Sequence, residues 1–304
     1  MDINNLYTDL ALEVRESIKG ENEEIEGVSL KKEDVYNGKI NITTVKVLNE
    51  HGSKIMNRSI GSYITIEAPK LDEDDDVGDV VSKFTYFQLK ELINNDEKNN
   101  VLIAGLGNRQ VTPDMLGPVV IDYLYITRHV KKEFGEKIYT GKEPLTTSAI
   151  APGVMAQTGM EAAEILSAII SQMKPNLLIV VDALAARSVN RLNKTIQITD
   201  TGISPGCGVG NNRKIISKET MGIPVIAIGV PTVVDAFTIV NDSITKYLTN
   251  LKMTPEEVDD FIDGFIKSDE KNMIVTTKNI DEAVHKIGNI IANALNLYIE
   301  NPIF

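Results

Sequence analysis

Alternation of apolar and polar residues marks the N-terminal part of the chain as strand-forming. Residues 39–48 and 62–68 alternate in this way and are rich in Ile, Val and Thr, which predicts two strands. The residues between them, 49–54 (NEHGSK), have the composition of a hairpin turn. Ahead of these strands, the first 25 residues are highly charged, and we expect that segment to be mobile.

After the N-terminal strands, the sequence predicts one helix and then a series of aliphatic strands that alternate with helices. The acidic residues 71–79 suit the start of a helix, which the apolar spacing extends to about residue 95. Beyond it we expect apolar strands at 101–104, 177–181 and 224–230, a more polar strand at 195–199, and helices near 115–134, 154–173, 233–251 and 280–299. Continuous aliphatic strands separated by helices are typical of a parallel sheet covered on both faces. The predicted fold class is α/β: a three-layer α/β/α sandwich with a mostly parallel sheet and a small N-terminal β appendage.

Composition and charge narrow the class of protein. The 304 residues are 42% hydrophobic with no Trp, which predicts a full, aliphatic core. A formal net charge of −12 argues against direct nucleic-acid binding and against an anionic membrane surface. The single cysteine, Cys207, favours a reducing compartment, and the sequence contains neither a membrane-length apolar run nor a signal peptide. We therefore expect a soluble cytoplasmic protein.

Two aspartates are the strongest candidates for chemistry. Asp114 and Asp182 are each predicted just past a strongly apolar strand. The carboxyl ends of parallel strands open into the crevice in which α/β proteins place their sites. Two carboxylates there can share a proton and activate water, as in acid-type peptidases. The structural alternative is that each aspartate caps a helix or a turn.

Three glycine-containing motifs match known signatures only in part. Gly105 and Gly107 follow a strand, as in a dinucleotide-binding turn, but the third glycine and the immediate helix are missing. Residues 202–206 (GISPG) match a nucleophile elbow, yet proline follows the serine and has no N–H for an oxyanion. Residues 200–202 (DTG) match pepsin-like enzymes, which are all-β and need two copies. We interpret residues 202–212 as a Gly-rich loop that permits close approach to a ligand.

No cofactor and no metal site is predicted. His51, His129 and His285 are far apart in the sequence, and there is no CxxC pair. A mixed site of His129 with carboxylates is an alternative to the simpler interpretation of a surface residue. Cys207 lies in the Gly-rich loop, but no basic partner for a thiol nucleophile is identified.

Long blocks of the sequence, in order, resemble the germination protease family of spore-forming bacteria. The blocks are GLGNRQVTPDMLGP, ITRH, SAIAPGVMAQTGMEAAEI, VDALAARS, DTGISPGCGVGNNRK and GIPVIAIGVPTVVDA. The resemblance covers about residues 7–251 and again 273–284. It implies an atypical aspartic endopeptidase with an α/β core akin to the hydrogenase-maturation proteases, assembled as a homotetramer in the cytoplasm of the forespore or spore core. Its implied substrates are the small acid-soluble proteins that coat DNA in the dormant spore.

The family's two catalytic aspartates carry over onto Asp114, within VTPDMLGP, and Asp182, within VDALAARS. One carboxylate would act as general base on the attacking water, and the other would donate a proton. The sequence leaves open which is which, because coupled groups titrate as a pair.

Residues 8–13 (TDLALE) resemble the sequence at which this family cleaves its substrates. Since the family is made as a zymogen, the resemblance implies self-cleavage between Asp9 and Leu10. The alternative, compatible with the first, is an N-terminal helix capped by Thr8. The expected domains are a propeptide at 1–9, an N-terminal segment with a small β subdomain at 10–70, and an α/β/α catalytic domain at 71–304.

Substrate recognition is expected in a groove near both aspartates, where an extended peptide would lie. Arg187 and Arg213, with Lys214, are candidates to pair with acidic side chains of the substrate. Two other functions remain open at this stage. One is a metal-directed, hydrogenase-maturation-like peptidase, and the other is a non-catalytic anion-binding α/β module in which the aspartates serve as caps.

Overall fold

The computed structural model describes residues 8–18, 24–93, 100–135, 143–206, 213–254, 257–258, 261 and 273–300. The strands are β1 (Val28–Val35), β2 (Ile40–Val47), β3 (Gly61–Glu67), β4 (Asn100–Gly105), β5 (Thr146–Ile150), β6 (Leu177–Ala186), β7 (Thr195–Thr199), β8 (Val225–Asp235) and β9 (Ile274–Val275). The helices are α1 (Ala11–Ile18), α2 (Glu50–Met56), α3 (Asp75–Leu92), α4 (Leu116–Asp122), α5 (Arg128–Phe134), α6 (Met155–Thr158), α7 (Ala162–Met173), α8 (Lys218–Met221), α9 (Ala236–Asn250) and α10 (Ile280–Glu300). Short 3₁₀ turns lie at Thr112–Asp114 and Val189–Arg191.

The strands form one mixed sheet in the order β1-β2-β3-β7-β8-β6-β4-β5, with β9 added to β8. Strands β5, β4, β6 and β8 are parallel, whereas β7 runs antiparallel to β8 and joins it to the antiparallel strands β1–β3. The N-terminal strands therefore continue the central sheet. The chain runs from β4 out to β5 and then back past β4 to β6, so the direction of strand addition reverses between β4 and β6. Ligand sites of open α/β sheets lie at such a reversal.

Helices cover both faces of the sheet, so the predicted α/β class is confirmed. The sheet is mixed and not mostly parallel as expected, because β1–β3 and β7 add to it antiparallel instead of forming a separate appendage. In β6, Leu177, Ile179 and Val181 face the core formed with α3, α4 and α10. Leu178 and Val180 face the opposite core, under α7 and α8. At the N-terminal end of the sheet, α1 and α2 pack on that second face against β2 and β3. Burial on both faces explains why the central strands are continuous apolar runs.

The predicted hairpin turn at 49–54 is wrong, because α2 lies there. The Asn49 side chain accepts the Gly52 N–H at 2.9 Å and so caps the helix. Asn57 ends it in the left-handed conformation. Strands β2 and β3 still pair antiparallel, with Asn41 opposite Glu67 and Val47 opposite Gly61.

Several predicted elements have different limits in the structure. The helix expected at 115–134 is two helices, α4 and α5, and the one expected at 154–173 is interrupted at Gly159, which is left-handed. Strands β6 and β8 extend to Ala186 and Asp235, beyond the expected limits, because the two strands pair with each other past the end of β4. The expected mobility of the first 25 residues is wrong for 11–18, where α1 buries Ala11, Leu12 and Val14 against the sheet. Residues 1–7 and 19–23 lie outside the described residues.

Candidate active site

Asp114 and Asp182 meet at the reversal between β4 and β6. The pairing of these strands ends at Gly105 and Val181, and Asp182 is the next residue of β6. Asp182 thus lies within β6, not beyond it, because β6 continues along β8. Asp114 returns to the same edge on the 3₁₀ turn that precedes α4. Both aspartates line one cavity of about 310 Å³.

Gly107 is the residue that allows Asp114 to fold back onto the end of β4. Its φ of +111° favours glycine, and a Cβ at this position would lie 1.9 Å from the carbonyl oxygen of Asp114. The N–H of Asn108 then donates to that carbonyl oxygen at 3.0 Å and to Oδ2 of Asp114 at 2.9 Å. The glycines after β4 therefore build the Asp114 turn, which explains why they match a dinucleotide-binding motif only in part.

Two further contacts fix the same turn. Gly105 and Gly117 bring β4 against the start of α4, since a Cβ on Gly105 would lie 2.2 Å from the Gly117 carbonyl oxygen. On the other side, Thr232 of β8 donates its hydroxyl to the Pro113 carbonyl at 2.6 Å. The Asp114 backbone is thus held from both β4 and β8.

Burial changes the protonation of both aspartates. Desolvation raises the pKa of Asp114 to about 6, against the opposing effect of the Asn108 N–H. Asp182 is only 5% exposed, and burial raises its pKa well above the ordinary range, with the charges of Asp114 and Asp9 adding to the effect. The Ala183 N–H donates to Oδ1 of Asp182 at 3.0 Å. Burial therefore favours the protonated form at both positions, and most strongly at Asp182.

The N-terminal segment enters this site at Asp9, which lines the cavity with both aspartates. Its N–H donates to the Ala185 carbonyl at 2.9 Å, and its Oδ2 accepts the Ala185 N–H at 2.8 Å. The carbonyl oxygen of Asp9 accepts a hydrogen bond from Nε2 of Gln197 at 3.2 Å. The next side chain, Leu10, is fully buried in an apolar pocket under β6 and β8. The Asp9-Leu10 bond is thereby held at the edge of the cavity.

Glu13 anchors the other end of the segment. Its buried carboxylate accepts the N–H groups of Arg187 at 2.7 Å and Ser188 at 3.0 Å, and Nη1 of Arg191 lies 3.3 Å away. The hydroxyl of Thr8 donates to Glu13 and accepts the Leu10 N–H at 3.1 Å. Residues 8–13 are therefore held by specific polar contacts at both ends.

The basic residues predicted to bind the substrate differ in whether they line the cavity. Arg187 is paired with Asp242 of α9, with Nε at 2.9 Å and Nη2 at 2.5 Å from its carboxylate oxygens. Arg213 and Lys214 both line the cavity, and Lys214 also contacts Glu164 at 2.7 Å. The predicted Gly-rich loop is described only to residue 206, so Cys207 and the rest of the loop lie outside the described residues.

The remaining candidates from the sequence are the DTG motif, His129 and possible metal or membrane features. Asp200 of the DTG motif accepts the Ser62 N–H at 2.8 Å and so supports the start of β3. His129 lies exposed on α5. Within the part of the chain that the structure describes, no group of three His, Cys, Asp or Glu residues has the arrangement of a metal site. Over the same residues, none of the helices combines the length and the apolar character that a membrane crossing requires.

Sequence reasoning did not find Gln197 or the role of Gly107. Gln197 is a polar residue in β7, where Ile196 and Ile198 face the main core and Gln197 faces the opposite side. The signal was present in the alternation of TIQIT, but a polar residue in that position usually faces solvent. Here the N-terminal segment covers it, and Gln197 is only 7% exposed.

Two comparisons with known proteins concern a solved structure and a family model. Among solved structures, a NiFe hydrogenase maturation protease, HycI from Thermococcus kodakarensis, is similar with a TM-score of 0.31 and 16% identity, covering 66% of this chain and 94% of that one. The model of the family described as germination protease matches residues 7–252.

Curated relatives match over nearly their whole length. Germination protease from Clostridium perfringens strain 13 is 42% identical, covering 97% of this chain and 95% of that protein. The Caldanaerobacter subterraneus protein of the same name is 43% identical, covering 97% and 94%. The Bacillus subtilis protein is 37% identical, covering 100% and 96%. This chain therefore belongs to the germination protease family and is a protease.

Proposed function

We propose that Asp114 and Asp182 are the catalytic pair of an aspartic-type endopeptidase. The observation that carries the proposal is that both carboxylates line one cavity at the reversal of the sheet, with pKa values raised to different extents. Perturbed carboxylates that share a cavity are typical of acid–base catalysis. The partly exposed Asp114 is ionised near neutral pH and is the general base, whereas the buried Asp182 keeps its proton and is the general acid.

The hydrolysis then follows from these two protonation states. Asp114 takes a proton from a water molecule as the water oxygen attacks the peptide carbonyl carbon, and the carbonyl π electrons move to its oxygen. When this tetrahedral intermediate collapses, the C–N bond breaks and Asp182 gives its proton to the leaving amine. The products are a new carboxyl terminus and a new amino terminus, and the pair is left with its proton on the other carboxylate.

The first substrate is the protein's own N-terminus. Asp9 lines the cavity, Leu10 fills an apolar pocket and Glu13 is held by two backbone N–H groups, so the Asp9-Leu10 bond is bound on both sides. We infer that the chain is a zymogen whose residues 1–9 form the propeptide. This agrees with the resemblance of residues 8–13 to the family's cleavage sequence.

Mature substrates would be recognised by the same contacts once the propeptide is lost and residues 10–13, which occupy the Leu10 pocket and the Glu13 site here, have moved out of them. By the resemblance, small acid-soluble spore proteins would carry the same cleavage sequence, in which a Thr-acid pair precedes an apolar residue and Ala, with a Glu further on. The backbone N–H groups of Arg187 and Ser188 would receive the distal glutamate, as they receive Glu13 here. We further propose that the enzyme acts during germination in the spore core and assembles as a homotetramer.

Intact-mass analysis of the purified full chain at mildly acidic pH tests the catalytic pair. The wild type is expected to lose residues 1–9, and Asp114→Asn and Asp182→Asn are expected to remain whole. Asp122→Asn is a matched control, because Asp122 is half-exposed and pairs with Arg109 at 2.6 Å outside the cavity. Trimming of all variants at the same bond, or of none including the wild type, would contradict the proposal. Trimming that is unchanged after exhaustive chelation would remove the metal-directed alternative.

A further inference from the structure

Gln197 and Asp182 lie in one row across three strands. Asp182 of β6 and Gln197 of β7 both pair with Gly229 of β8, from its two sides. Residues directly opposite in a ladder project to the same face of the sheet. Gly229 has no side chain of its own, and the Leu184 side chain packs over it, since a Cβ there would lie 2.5 Å from Leu184. The row therefore presents an amide and a carboxyl group to the segment that crosses this face.

The Gln197 amide brackets the bond between Asp9 and Leu10. Nε2 donates to the carbonyl oxygen of Asp9 at 3.2 Å, and Oε1 accepts the N–H of Ala11 at 2.8 Å. The first contact is to the carbonyl of the proposed scissile bond, and the second is to the amide two residues further on. A glutamine side chain is one of few that can supply a donor and an acceptor together.

We propose that Gln197 is a catalytic residue that stabilises the oxyanion formed at the scissile carbonyl; this rests on the proposed cleavage of the Asp9-Leu10 bond. As water attacks the carbonyl carbon, the π electrons move to the carbonyl oxygen, and Nε2 of Gln197 already lies 3.2 Å from that oxygen as a donor. A fixed donor that faces developing negative charge in a buried site lowers the barrier without reorganisation. When the C–N bond breaks, the carbonyl re-forms and the charge leaves the oxygen.

The neutral amide suits its neighbours. A lysine or arginine in this row would lie near Asp182 and would favour its ionised form, which removes the proton needed by the leaving amine. Glutamine donates to the carbonyl without adding charge. The Oε1 atom of Gln197 also restricts the substrate, because it needs a backbone N–H to accept from the second residue after the scissile bond. Proline has none.

The test measures self-cleavage of the full chain by intact mass in four variants, Gln197→Met, Gln197→Glu, Thr195→Val and Ala11→Pro. Gln197→Met keeps the volume and removes both contacts. Gln197→Glu keeps the acceptor for Ala11 but replaces the donor with an oxygen. Thr195→Val is the matched control, since Thr195 is buried on the same strand and the same face. Thermal unfolding is followed for each protein.

We expect Gln197→Met to slow self-cleavage by about 10²- to 10³-fold, as for loss of one oxyanion donor, with the control unchanged. Gln197→Glu is expected to be equally slow above neutral pH and, relative to the wild type at the same pH, to recover as the pH falls, because a protonated carboxyl donates a hydrogen bond again. An Ala11→Pro chain is expected to remain uncleaved.

The outcomes separate the two proposals. If the wild type is trimmed and Gln197→Glu is trimmed at the wild-type rate at every pH, the oxyanion role is overturned while the catalytic aspartates stand. Equal rates for Gln197→Met and Thr195→Val would overturn it as well. If Gln197→Met fails to fold, the pH profile of Gln197→Glu decides. A wild type that is never trimmed overturns the proposed function itself, and with it the role of Gln197.

Discussion

The two aspartates reach the same cavity on very different supports. Asp182 is part of β6, which is hydrogen-bonded to β8 along its length and buried on both faces. Asp114 lies on a turn outside the sheet, held by the Asn108 N–H, by the close approach at Gly107 and by the Thr232 hydroxyl. One carboxylate is fixed by regular structure and the other by individual contacts.

The difference in support also separates their chemistry. The strand places Asp182 in a nearly water-free position, where burial favours the neutral acid, whereas the turn leaves Asp114 partly exposed with a pKa of about 6. Asp114 ionises first, and its charge then raises the pKa of Asp182 further. The geometry of the backbone therefore separates the proposed general base, Asp114, from the proposed general acid, Asp182.

Removing each carboxylate is the strongest test of this comparison. Asp114→Asn is expected to lower self-cleavage about 10⁴-fold, because no base remains for the water. Asp182→Asn is expected to lower it about 10³-fold, because the amide still donates a hydrogen bond although it cannot give up a proton. Long incubations followed by intact mass measure both rates. A larger residual activity in Asp114→Asn would reverse the assigned roles.

Gly107→Ala tests whether the Asp114 turn depends on glycine. The added Cβ would lie 1.9 Å from the Asp114 carbonyl oxygen at a φ of +111°, so the turn must move. A displacement of about 1 Å at a catalytic group costs about 10²-fold in rate. Gly222→Ala is the matched control, since Gly222 has a φ of +74° with nothing within 4 Å of its Cβ position. We expect the control to lose about 1 kcal/mol of stability and no activity. Equal activity in both variants would show that the turn tolerates the shift.

The sequence was sufficient to predict the strand that bears Asp182 but not the turn that holds Asp114. Aliphatic runs predict β4 and β6, and the rule that sites follow parallel strands predicts that Asp114 and Asp182 lie near each other. The turn depends on contacts between residues distant in sequence, such as Thr232 with Pro113, which no local pattern contains. The same limit applies to Gln197, whose partner Asp9 is 188 residues away. The predicted hairpin turn failed for a local reason, because Asn49 suits a helix cap as well as a turn.

Stability against pH distinguishes the two carboxylates without any assay of cleavage. A carboxyl with a raised pKa keeps its proton in the folded state after the unfolded state has lost it, so stability falls as the pH rises between the two values. For Asp114 this window runs from 3.8 to about 6. The shift corresponds to at most about 3 kcal/mol. For Asp182, the window extends further up in pH.

Urea unfolding across this pH range measures the effect. Asp114→Asn is expected to flatten the fall in the free energy of unfolding up to about pH 6. Asp182→Asn is expected to flatten the fall at higher pH. Asp122 affects stability in the opposite direction, because Arg109 lowers its pKa and the stability that the ionised Asp122 contributes is lost as the pH falls. The Asp122→Asn control is therefore expected to remove this loss at low pH. Wild-type slopes in both cavity variants would contradict the burial of the pair.

The smallest effect concerns the hydroxyl that ties the Asp114 turn to β8. Thr232→Val removes the hydrogen bond to the Pro113 carbonyl, and Thr276→Val removes the neighbouring bond from Thr276 to the Thr232 carbonyl at 2.7 Å. Each loss is expected to cost about 1 kcal/mol of stability. Only Thr232→Val loosens the turn, so only that variant is expected to lower the rate of self-cleavage, by about threefold to tenfold. Similar rates in the two variants would mean that Gly107 and Asn108 hold Asp114 without help from β8. The base would then be positioned from the β4 side alone, and the contrast between a strand-borne acid and a turn-borne base would be sharper still.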